Sequence, residues 1–196
     1  MAVLISISGA SASGKTTVAR ELLASLPQSR MLLSVTTRTP RPSDVHGEYR
    51  YVSTREFEDF EKRSLFLWTV DAHHNRYGTL TESVREACNG GTAIAILTIP
   101  AAEKLFSFLS TQAPHVIFTP LYLKTHDEAL LEKRLRDRGD SSEDVRIRME
   151  ECRNWNLLAE HSPVPFSVVD ASLPLPSMLQ EAISYIKKES TPLSPE

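Results

Sequence analysis

Short apolar runs alternate along this chain with segments whose apolar residues recur at helical spacing. The first run, at 5–7, is rich in β-branched residues and predicts a strand, and the apolar positions over 18–26 predict the helix that follows. Further strands are predicted at 31–35, 48–53, 65–70, 92–99, 115–123 and 166–172. Further helices are predicted near 54–63, 80–89, 100–110, 126–138, 142–160 and 175–188. This alternation predicts an α/β fold with a parallel sheet covered by helices on both faces.

The length and composition fit a single domain. With 196 residues, of which 41% are hydrophobic, the chain can bury a substantial core. The strand candidates at 48–53 and 65–70 lie close together and interrupt the alternation, so residues 34–80 are interpreted as a small mixed α/β insert beside that core. The last segment, 190–196, has the composition of a loose tail.

A glycine-bounded loop joins the first strand to the first helix, and its sequence, GASASGKT, matches the phosphate-loop pattern G-x-x-x-x-G-K-[ST]. Its small side chains let an anion approach the backbone N–H groups, and the helix directs its positive end at the same point. Lys15 would reach the β- and γ-phosphates, and the Thr16 hydroxyl would bind Mg²⁺. The flanking strand and helix disfavour the alternative, a flexible turn with a solvated lysine. The nucleotide-binding candidates are Gly9, Ala10, Ser11, Ala12, Ser13, Gly14, Lys15, Thr16 and Thr17.

The charge and hydropathy of the chain limit the partners that we expect. A formal net charge of −3 and a pI of about 6.1 give no basic field for a nucleic-acid backbone, so small anions are the expected partners. No apolar run approaches the roughly 18 residues that span a bilayer, and the N-terminus leads into a strand instead of a cleavable signal. We therefore expect a soluble, cytoplasmic protein without a membrane or polynucleotide partner.

The cysteines and histidines do not indicate a disulfide framework or a metal centre. Cys88 and Cys152 lack metal-ligand spacing and are expected to be reduced, packed thiols. His73 and His74 are adjacent, so in a strand they would point to opposite faces and would not share a metal ion.

The segment SVTTRTPRP presents two arginines in an extended conformation, because its prolines prevent a continuing helix. The guanidiniums of Arg38 and Arg41 can each donate two hydrogen bonds to a phosphate monoester, and Tyr49 and Tyr77 can add phenolic hydroxyls. A solvated basic loop is the alternative interpretation. The phosphate loop upstream favours an anion site.

Five segments, taken in order, resemble the guanylate kinases: GASASGKTT, SVTTRTPRP, GEYRYVS, LFLWTVDAHHNRYGT, and RLRDRG followed by a helix with Arg148. The resemblance extends over residues 3–188. It implies a three-layer core of the P-loop NTPase type at 1–33, 81–125 and 160–190, an acceptor-binding insert at 34–80 and a helical lid at 126–159. It also implies ATP as the donor and Mg²⁺ as a cofactor.

The same resemblance implies roles for individual residues. Thr79, which follows Gly78, falls where a small hydroxyl residue contacts the acceptor base, and Trp68 lies on the strand that borders this base. The phosphate of the acceptor would be held by Ser34, Arg38, Arg41, Tyr49 and Tyr77. The catalytic candidates are Lys15, Arg38, Arg41, Arg134, Arg138 and Arg148.

The lid arginines would stabilise the transferring phosphoryl group and exclude water. Arg134 and Arg138 are four residues apart and would share a helix face, which the following glycine would end at a hinge. Arg148 is expected to contact phosphate, whereas Arg136 is expected to pair with Glu132 in solvent. For each arginine, a charged helix face is the alternative interpretation.

The chain departs from the family pattern at several positions. Trp68 replaces a glutamate that accepts hydrogen bonds from guanine; tryptophan cannot accept them, although it can stack on a base or fill the pocket. Asp71 is near, but it would face the opposite side of the strand. The strand at 92–99 lacks the family's acidic residues near its end, where Thr98 is the only polar candidate. Ser43 replaces a glycine, and the loop after it is one residue shorter.

These observations predict ATP-dependent phosphoryl transfer to a nucleoside monophosphate, GMP or dGMP by resemblance. Because of Trp68, the same chemistry on another nucleotide or on a ribose phosphate, such as ribose 1,5-bisphosphate, is an alternative. A non-catalytic guanylate-kinase-like binding module is a third reading, which the intact Gly14-Lys15-Thr16 disfavours. Either a monomer or a homodimer is compatible with the sequence.

Overall fold

The computed structural model describes residues 1–42, 44–72 and 74–190. The expectations for Ser43, for His73 and for the tail beyond residue 190 fall outside these residues. None of the described helices has the length and apolar character that crossing a lipid bilayer requires. In chain order the elements are β1 (Ala2–Gly9), α1 (Lys15–Ser25), β2 (Ser29–Met31), β3 (Ser34–Thr36), β4 (Tyr49–Tyr51), α2 (Thr54–Lys62), β5 (Phe66–Ala72), β6 (Asn75–Leu80), α3 (Thr81–Cys88), β7 (Gly91–Ile96), α4 (Ile99–Gln112), β8 (Ile117–Lys124), α5 (Glu128–Asp137), α6 (Ser142–His161), β9 (Ser167–Asp170) and α7 (Leu175–Ser190).

A five-stranded parallel sheet in the order β2-β7-β1-β8-β9 forms the core. Ile5 and Ile7 of its central strand pack against α1 and α7, whereas Leu4 packs on the other face against α3 and α4. Alternate residues of a strand point to opposite faces, so β1 contributes to both apolar layers. The predicted α/β class with a helix-covered parallel sheet is confirmed. Cys88 and Cys152 are buried thiols, as expected.

A second, four-stranded sheet in the order β4-β3-β6-β5 is built from residues 34–80. β3 pairs in parallel with β4 and antiparallel with β6, and β6 pairs antiparallel with β5. One face is covered by α2, whose Phe57 stacks on Phe66 with ring centroids 4.6 Å apart. The opposite face borders a large cleft.

One strand prediction was wrong, and one strand was not predicted. The run at 31–35 is not one strand, because the Leu32 N–H donates to Ile94 of the core sheet at 2.7 Å, whereas the Ser34 N–H donates to Glu48 beside the second sheet at 2.9 Å. The chain changes sheets within these two residues. The sequence pattern also does not predict β6, since polar residues and Gly78 interrupt its apolar alternation.

The helices α5 and α6 lie over the phosphate loop. Gly139 has a φ of +90° just beyond α5, as expected for the glycine that ends a helix. An apolar cluster joins the two helices to the loop, and its buried members are Ala10, Leu131, Leu135, Val145 and Cys152. Separation of the helices from the loop would expose these side chains to water.

Gly78 permits the close approach of an aromatic ring to the rear of the second sheet. A Cβ at this position would lie 2.6 Å from Cε1 and 2.7 Å from Cδ1 of Phe66. That ring is also stacked on Phe57, so it has little room to move. Lack of space, and not an unusual backbone conformation, therefore requires glycine here.

We expect Gly78→Ala to lower the free energy of unfolding by about 1–3 kcal/mol, because the methyl group overpacks the site. Urea denaturation measures this change. Phe66→Leu removes the clashing ring atoms, so the two substitutions together should cost less than the sum of each alone. Strictly additive costs would contradict the steric explanation.

Candidate active site

A cleft of about 1290 Å³ lies between the carboxyl end of the core sheet, the second sheet and the helices α5 and α6. Parallel strands end at a common edge, so the loop after β1 and the segment after β7 meet there. The phosphate loop lines one part of the cleft, and Arg38, Arg41 and the tyrosines line another. The two sites that the sequence assigns to a donor and an acceptor therefore share one space.

The phosphate loop has the geometry of an anion cradle. Gly9 and Gly14 have φ values of +148° and +96°, which favour glycine. A Cβ on Gly9 would lie 2.7 Å from the Leu123 carbonyl oxygen and 2.9 Å from Ser13 Oγ. The Ser13 hydroxyl is buried without a hydrogen-bond partner among the described residues, and α1 begins without a side-chain cap. These groups can serve an oxyanion.

Lys15 is held against the loop that it belongs to. Its Nζ donates to the carbonyl oxygens of Gly9 at 2.8 Å and Ala10 at 2.6 Å. Burial, with a smaller contribution from the charge of Arg138, lowers the pKa of Lys15 from 10.5 to about 8. A bound anion would stabilise the charged amine, because opposite charges raise the pKa of a lysine.

The second sheet presents polar side chains to the cleft. Ser34 and Thr79 share a hydrogen bond of 2.8 Å between their hydroxyls. Tyr49 lies opposite Ser34, and Tyr77 lies opposite Thr36, in the strand register. The rings of Tyr49 and Tyr77 are 6.0 Å apart, edge to face. Residues distant in sequence meet because they occupy the same face of adjacent strands.

Asp44 organises the two arginines of this half of the cleft. Its carboxylate accepts hydrogen bonds from Arg38 Nη2 at 2.8 Å, from the backbone N–H of Arg41 at 2.8 Å and from the Tyr51 hydroxyl at 2.6 Å. Burial opposes ionisation of Asp44, but these hydrogen bonds outweigh it and lower its pKa. Burial likewise opposes the charge of Arg38, whereas Asp44 raises the pKa of Arg38. The guanidinium carbon lies 5.2 Å from the Tyr49 ring centroid.

A second carboxylate, Glu48, lies beneath the same segment. It is 7% exposed, and its Oε2 accepts from the Val45 N–H at 3.1 Å. Burial raises the pKa of Glu48. Burial, followed by the nearby charge of Glu48 and a hydrogen bond to it, raises the pKa of Tyr49, so the tyrosine hydroxyl stays protonated.

The strand β5 directs no carboxylate into the cleft. Trp68, Val70 and Ala72 line the cleft, whereas the side chain of Asp71 is 78% exposed and pairs with Arg76 at 3.2 Å. The pairing with β6 is regular from Trp68 onward, so no bulge turns Asp71 inward. The expectation that Asp71 faces away from Trp68 is confirmed.

Trp68 fills part of the pocket with its indole. It is 8% exposed and belongs to the apolar cluster that contains Leu97 and Ala101, at the junction of β7 and α4. Thr98 also lines the cleft, and its hydroxyl caps α4 by accepting from the Ala101 N–H at 3.4 Å.

Three predicted arginines reach the cleft from α5, α6 and the connection between them. Arg138 and Arg148 donate from Nη1 to Ser11 Oγ at 3.3 and 3.1 Å. Arg134 donates from Nη1 to the Ala171 carbonyl oxygen at 2.9 Å. Arg134 and Arg138 therefore have different partners, although they are four residues apart.

Comparisons with known proteins agree with this geometry. A family model described as guanylate kinase matches residues 1–169. The chain belongs to the guanylate kinase family. It is 28% identical over 195 residues to a guanylate kinase of Desulfotalea psychrophila, covering 98% of this chain and 93% of that relative. It is 34% identical over 162 residues to a guanylate kinase of Maricaulis maris, covering 79% of this chain and 72% of that relative.

A solved structure supports the same fold. The crystal structure of guanylate kinase from Anaplasma phagocytophilum superposes with a TM-score of 0.64, covering 97% of this chain and 87% of that chain. The sequence identity is 18%, so this likeness concerns the fold alone.

The structure of this guanylate kinase family member brings the predicted site residues to one cleft, with Ala10 as an exception. The Ala10 side chain is 4% exposed and packs beneath the lid helices, while its carbonyl oxygen accepts from Lys15. Arg136 pairs with Glu132 at 2.6 Å, as expected for a solvated pair.

Sequence reasoning missed the carboxylates that line the cleft, which are Asp44, Glu48, Asp140, Asp144 and Glu151. Asp44 follows Arg41 by three residues in a proline-rich turn, where aspartate side chains often accept backbone N–H bonds, so a local signal existed. The partners of Asp140 include Arg148 of the next helix, and no local pattern indicates that contact.

The lowered pKa of Asp44 predicts a pH-dependent contribution to stability. The ionised carboxylate should stabilise the fold above its ordinary pKa of 3.8, and this contribution should be lost as the pH falls through the lower folded-state value. At neutral pH we expect Asp44→Asn to lower the free energy of unfolding by about 1–3 kcal/mol, with the difference narrowing in acid. Urea denaturation at a series of pH values measures this.

Asp71→Asn is the matched control, because it removes a carboxylate that is 78% exposed and whose ion pair is expected to contribute little. A destabilisation by Asp44→Asn that stays constant from neutral pH into acid would contradict the ionic explanation.

Proposed function

We propose that this protein transfers the γ-phosphoryl group of ATP to the phosphate of a nucleoside monophosphate, with GMP or dGMP as the acceptor. The observation that carries the proposal is that one cleft has a phosphate loop in one part and Arg38, Arg41 and the tyrosines in another. Membership of the guanylate kinase family supports the same reaction.

The phosphate loop fits the triphosphate of the donor. The cradle at Gly9 excludes any larger residue, and the buried Ser13 hydroxyl and the start of α1 face the anion position. Lys15 would exchange its bonds to loop carbonyl oxygens for bonds to phosphate. Magnesium, when bound, would offset phosphate charge; Thr16 would supply one hydroxyl ligand, and phosphate oxygens and water the others.

The acceptor phosphate would be bound by Arg38, Arg41 and the hydroxyls of Ser34, Tyr49 and Tyr77. These groups reduce its negative charge, so that one of its oxygens can approach the γ-phosphorus in line. A bond forms between that oxygen and the γ-phosphorus while the bond to the β,γ-bridging oxygen breaks. No covalent enzyme intermediate is required.

Arg138 and Arg148 would stabilise the spread charge of the transferring phosphoryl group. Their Nη1 atoms already converge on Ser11 of the phosphate loop. Fixed cations in a site from which water is excluded stabilise a transition state without reorganising. Arg134, bonded to Ala171 and one helical turn before Arg138, would border the nucleotide.

The division into a core, an acceptor-binding insert at 34–80 and a lid at 126–159 is part of this proposal. So are a cytoplasmic location, ATP instead of GTP as the donor, and a monomeric or homodimeric state. The intact phosphate loop with Lys15 in place gives no support to a non-catalytic binding module.

An acceptor panel tests the function. The purified protein, with ATP and Mg²⁺, is offered nucleoside monophosphates and ribose phosphates, and ADP formation is followed by a coupled assay. We expect GMP and dGMP to be the preferred acceptors and Lys15→Ala to abolish turnover, because the loop then lacks its phosphate-binding cation. Turnover of Lys15→Ala close to wild type, or no acceptor-dependent ADP formation by the wild type, would contradict the proposal.

Trp68 leads to a prediction about base recognition. Trp68→Glu would restore an acceptor for the guanine N1–H and 2-amino group, so we expect the preference in kcat/KM for GMP over IMP, which lacks that amino group, to rise about 10- to 100-fold. Trp68→Met, which opens the pocket without adding an acceptor, is the control. An equal change in both variants would show that position 68 does not face the base.

A further inference from the structure

Asp140 lies in the short connection between the two helices of the lid segment. It follows Gly139, which ends α5, and precedes Ser141, which caps α6. Its side chain is 15% exposed and borders the cleft. The connection therefore holds a carboxylate close to arginines from both sides.

This carboxylate contacts the Nε edge of two guanidiniums. Asp140 Oδ1 accepts from Arg138 Nε at 3.2 Å, and Oδ2 bonds Arg138 Nη2. Oδ2 also lies 3.0 Å from Arg148 Nε in an ion pair. Arg148 Nε is buried and lacks a hydrogen bond of normal geometry among the described residues, so Asp140 acts on it as an ion-pair partner.

The remaining Nη1 atoms of both arginines point to one acceptor, Ser11 Oγ, at 3.3 and 3.1 Å. A guanidinium is planar and rigid, so fixing its Nε edge fixes the direction of its other N–H groups. The two arginines carry like charges and share a neutral acceptor. The carboxylate between them offsets their repulsion.

We propose that Asp140 is a positioning residue for phosphoryl transfer, which holds Arg138 by hydrogen bonds along its Nε edge and Arg148 by an ion pair at Nε, and so directs their Nη1 groups at the phosphates in the loop. This role rests on the proposed function. Anionic phosphate oxygens replace the Ser11 hydroxyl as acceptors, with shorter and stronger charge-assisted hydrogen bonds. Asp140 itself need not contact the nucleotide.

The helix ends do not depend on the Asp140 side chain. The Ser141 hydroxyl caps α6 by accepting from the Asp144 N–H at 3.1 Å. The backbone N–H of Asp140 donates to the Leu135 carbonyl oxygen at 3.2 Å, a bond that any substitution except proline keeps. Loss of the carboxylate therefore removes its contacts with Arg138 and Arg148 but keeps the hydrogen bonds of the local backbone.

Asp140→Asn tests the role, because it removes the charge and keeps the shape. We expect kcat for phosphoryl transfer to fall about 10- to 100-fold, as for misplaced transition-state groups, while the acceptor KM changes less than about twofold. Asp140→Glu restores a carboxylate and should recover part of kcat. Asp137→Asn is the matched control, since Asp137 is 61% exposed and pairs with Lys133 on the same helix.

A double-mutant cycle tests whether Asp140→Asn lowers kcat through Arg148. In an Arg148→Met background, Asp140→Asn should reduce kcat by a smaller factor than in the wild type. Equal factors in both backgrounds, an unchanged or raised kcat, or a lower melting temperature together with a raised acceptor KM would overturn the role of Asp140. An inactive wild type would instead contradict the proposed function.

Discussion

Mutual repulsion of cations is the constraint on which this cleft depends. Lys15, Arg38 and Arg148 approach a common space, and each is partly or fully withdrawn from water. Burying such charges is costly unless carboxylates or carbonyl oxygens compensate them. Asp44 does so in one half of the cleft and Asp140 in the other, while loop carbonyl oxygens do so for Lys15.

The carboxylates that compensate these charges also determine the direction of the arginine side chains. Asp44 holds Arg38 through Nη2, while Asp140 contacts Arg138 and Arg148 at Nε and leaves their Nη1 groups directed at Ser11 of the phosphate loop. Preorganised donors of this kind suit a reaction in which two anions meet, because they need little rearrangement when charge develops. The cleft is thus rich in groups that can bind anions, whereas β5 contributes the indole of Trp68 and no carboxylate to it.

The phosphate loop and its flanking elements could be predicted from the sequence because their chemistry is local: glycines, small residues, a lysine and a threonine at fixed spacing. Arg38 and Arg41 could be found for the same reason. The crossing from the core sheet to the second sheet after Leu32 could not be predicted. The sequence there is a continuous apolar run, although Leu32 bonds to the core sheet and Ser34 bonds to Glu48 beside the second sheet. Asp140 escaped prediction because its contact with Arg148 depends on how two helices pack.

Trp68 also changes how the two sheets are joined. Its indole belongs to the same apolar cluster as Leu97 and Ala101 of the core. The second sheet therefore packs against the core through buried aromatic surface. Each Å² of that surface drawn into water would cost roughly 25 cal/mol. A hinge motion that moves the second sheet away from the core must break this contact. The buried indole therefore opposes opening of the cleft.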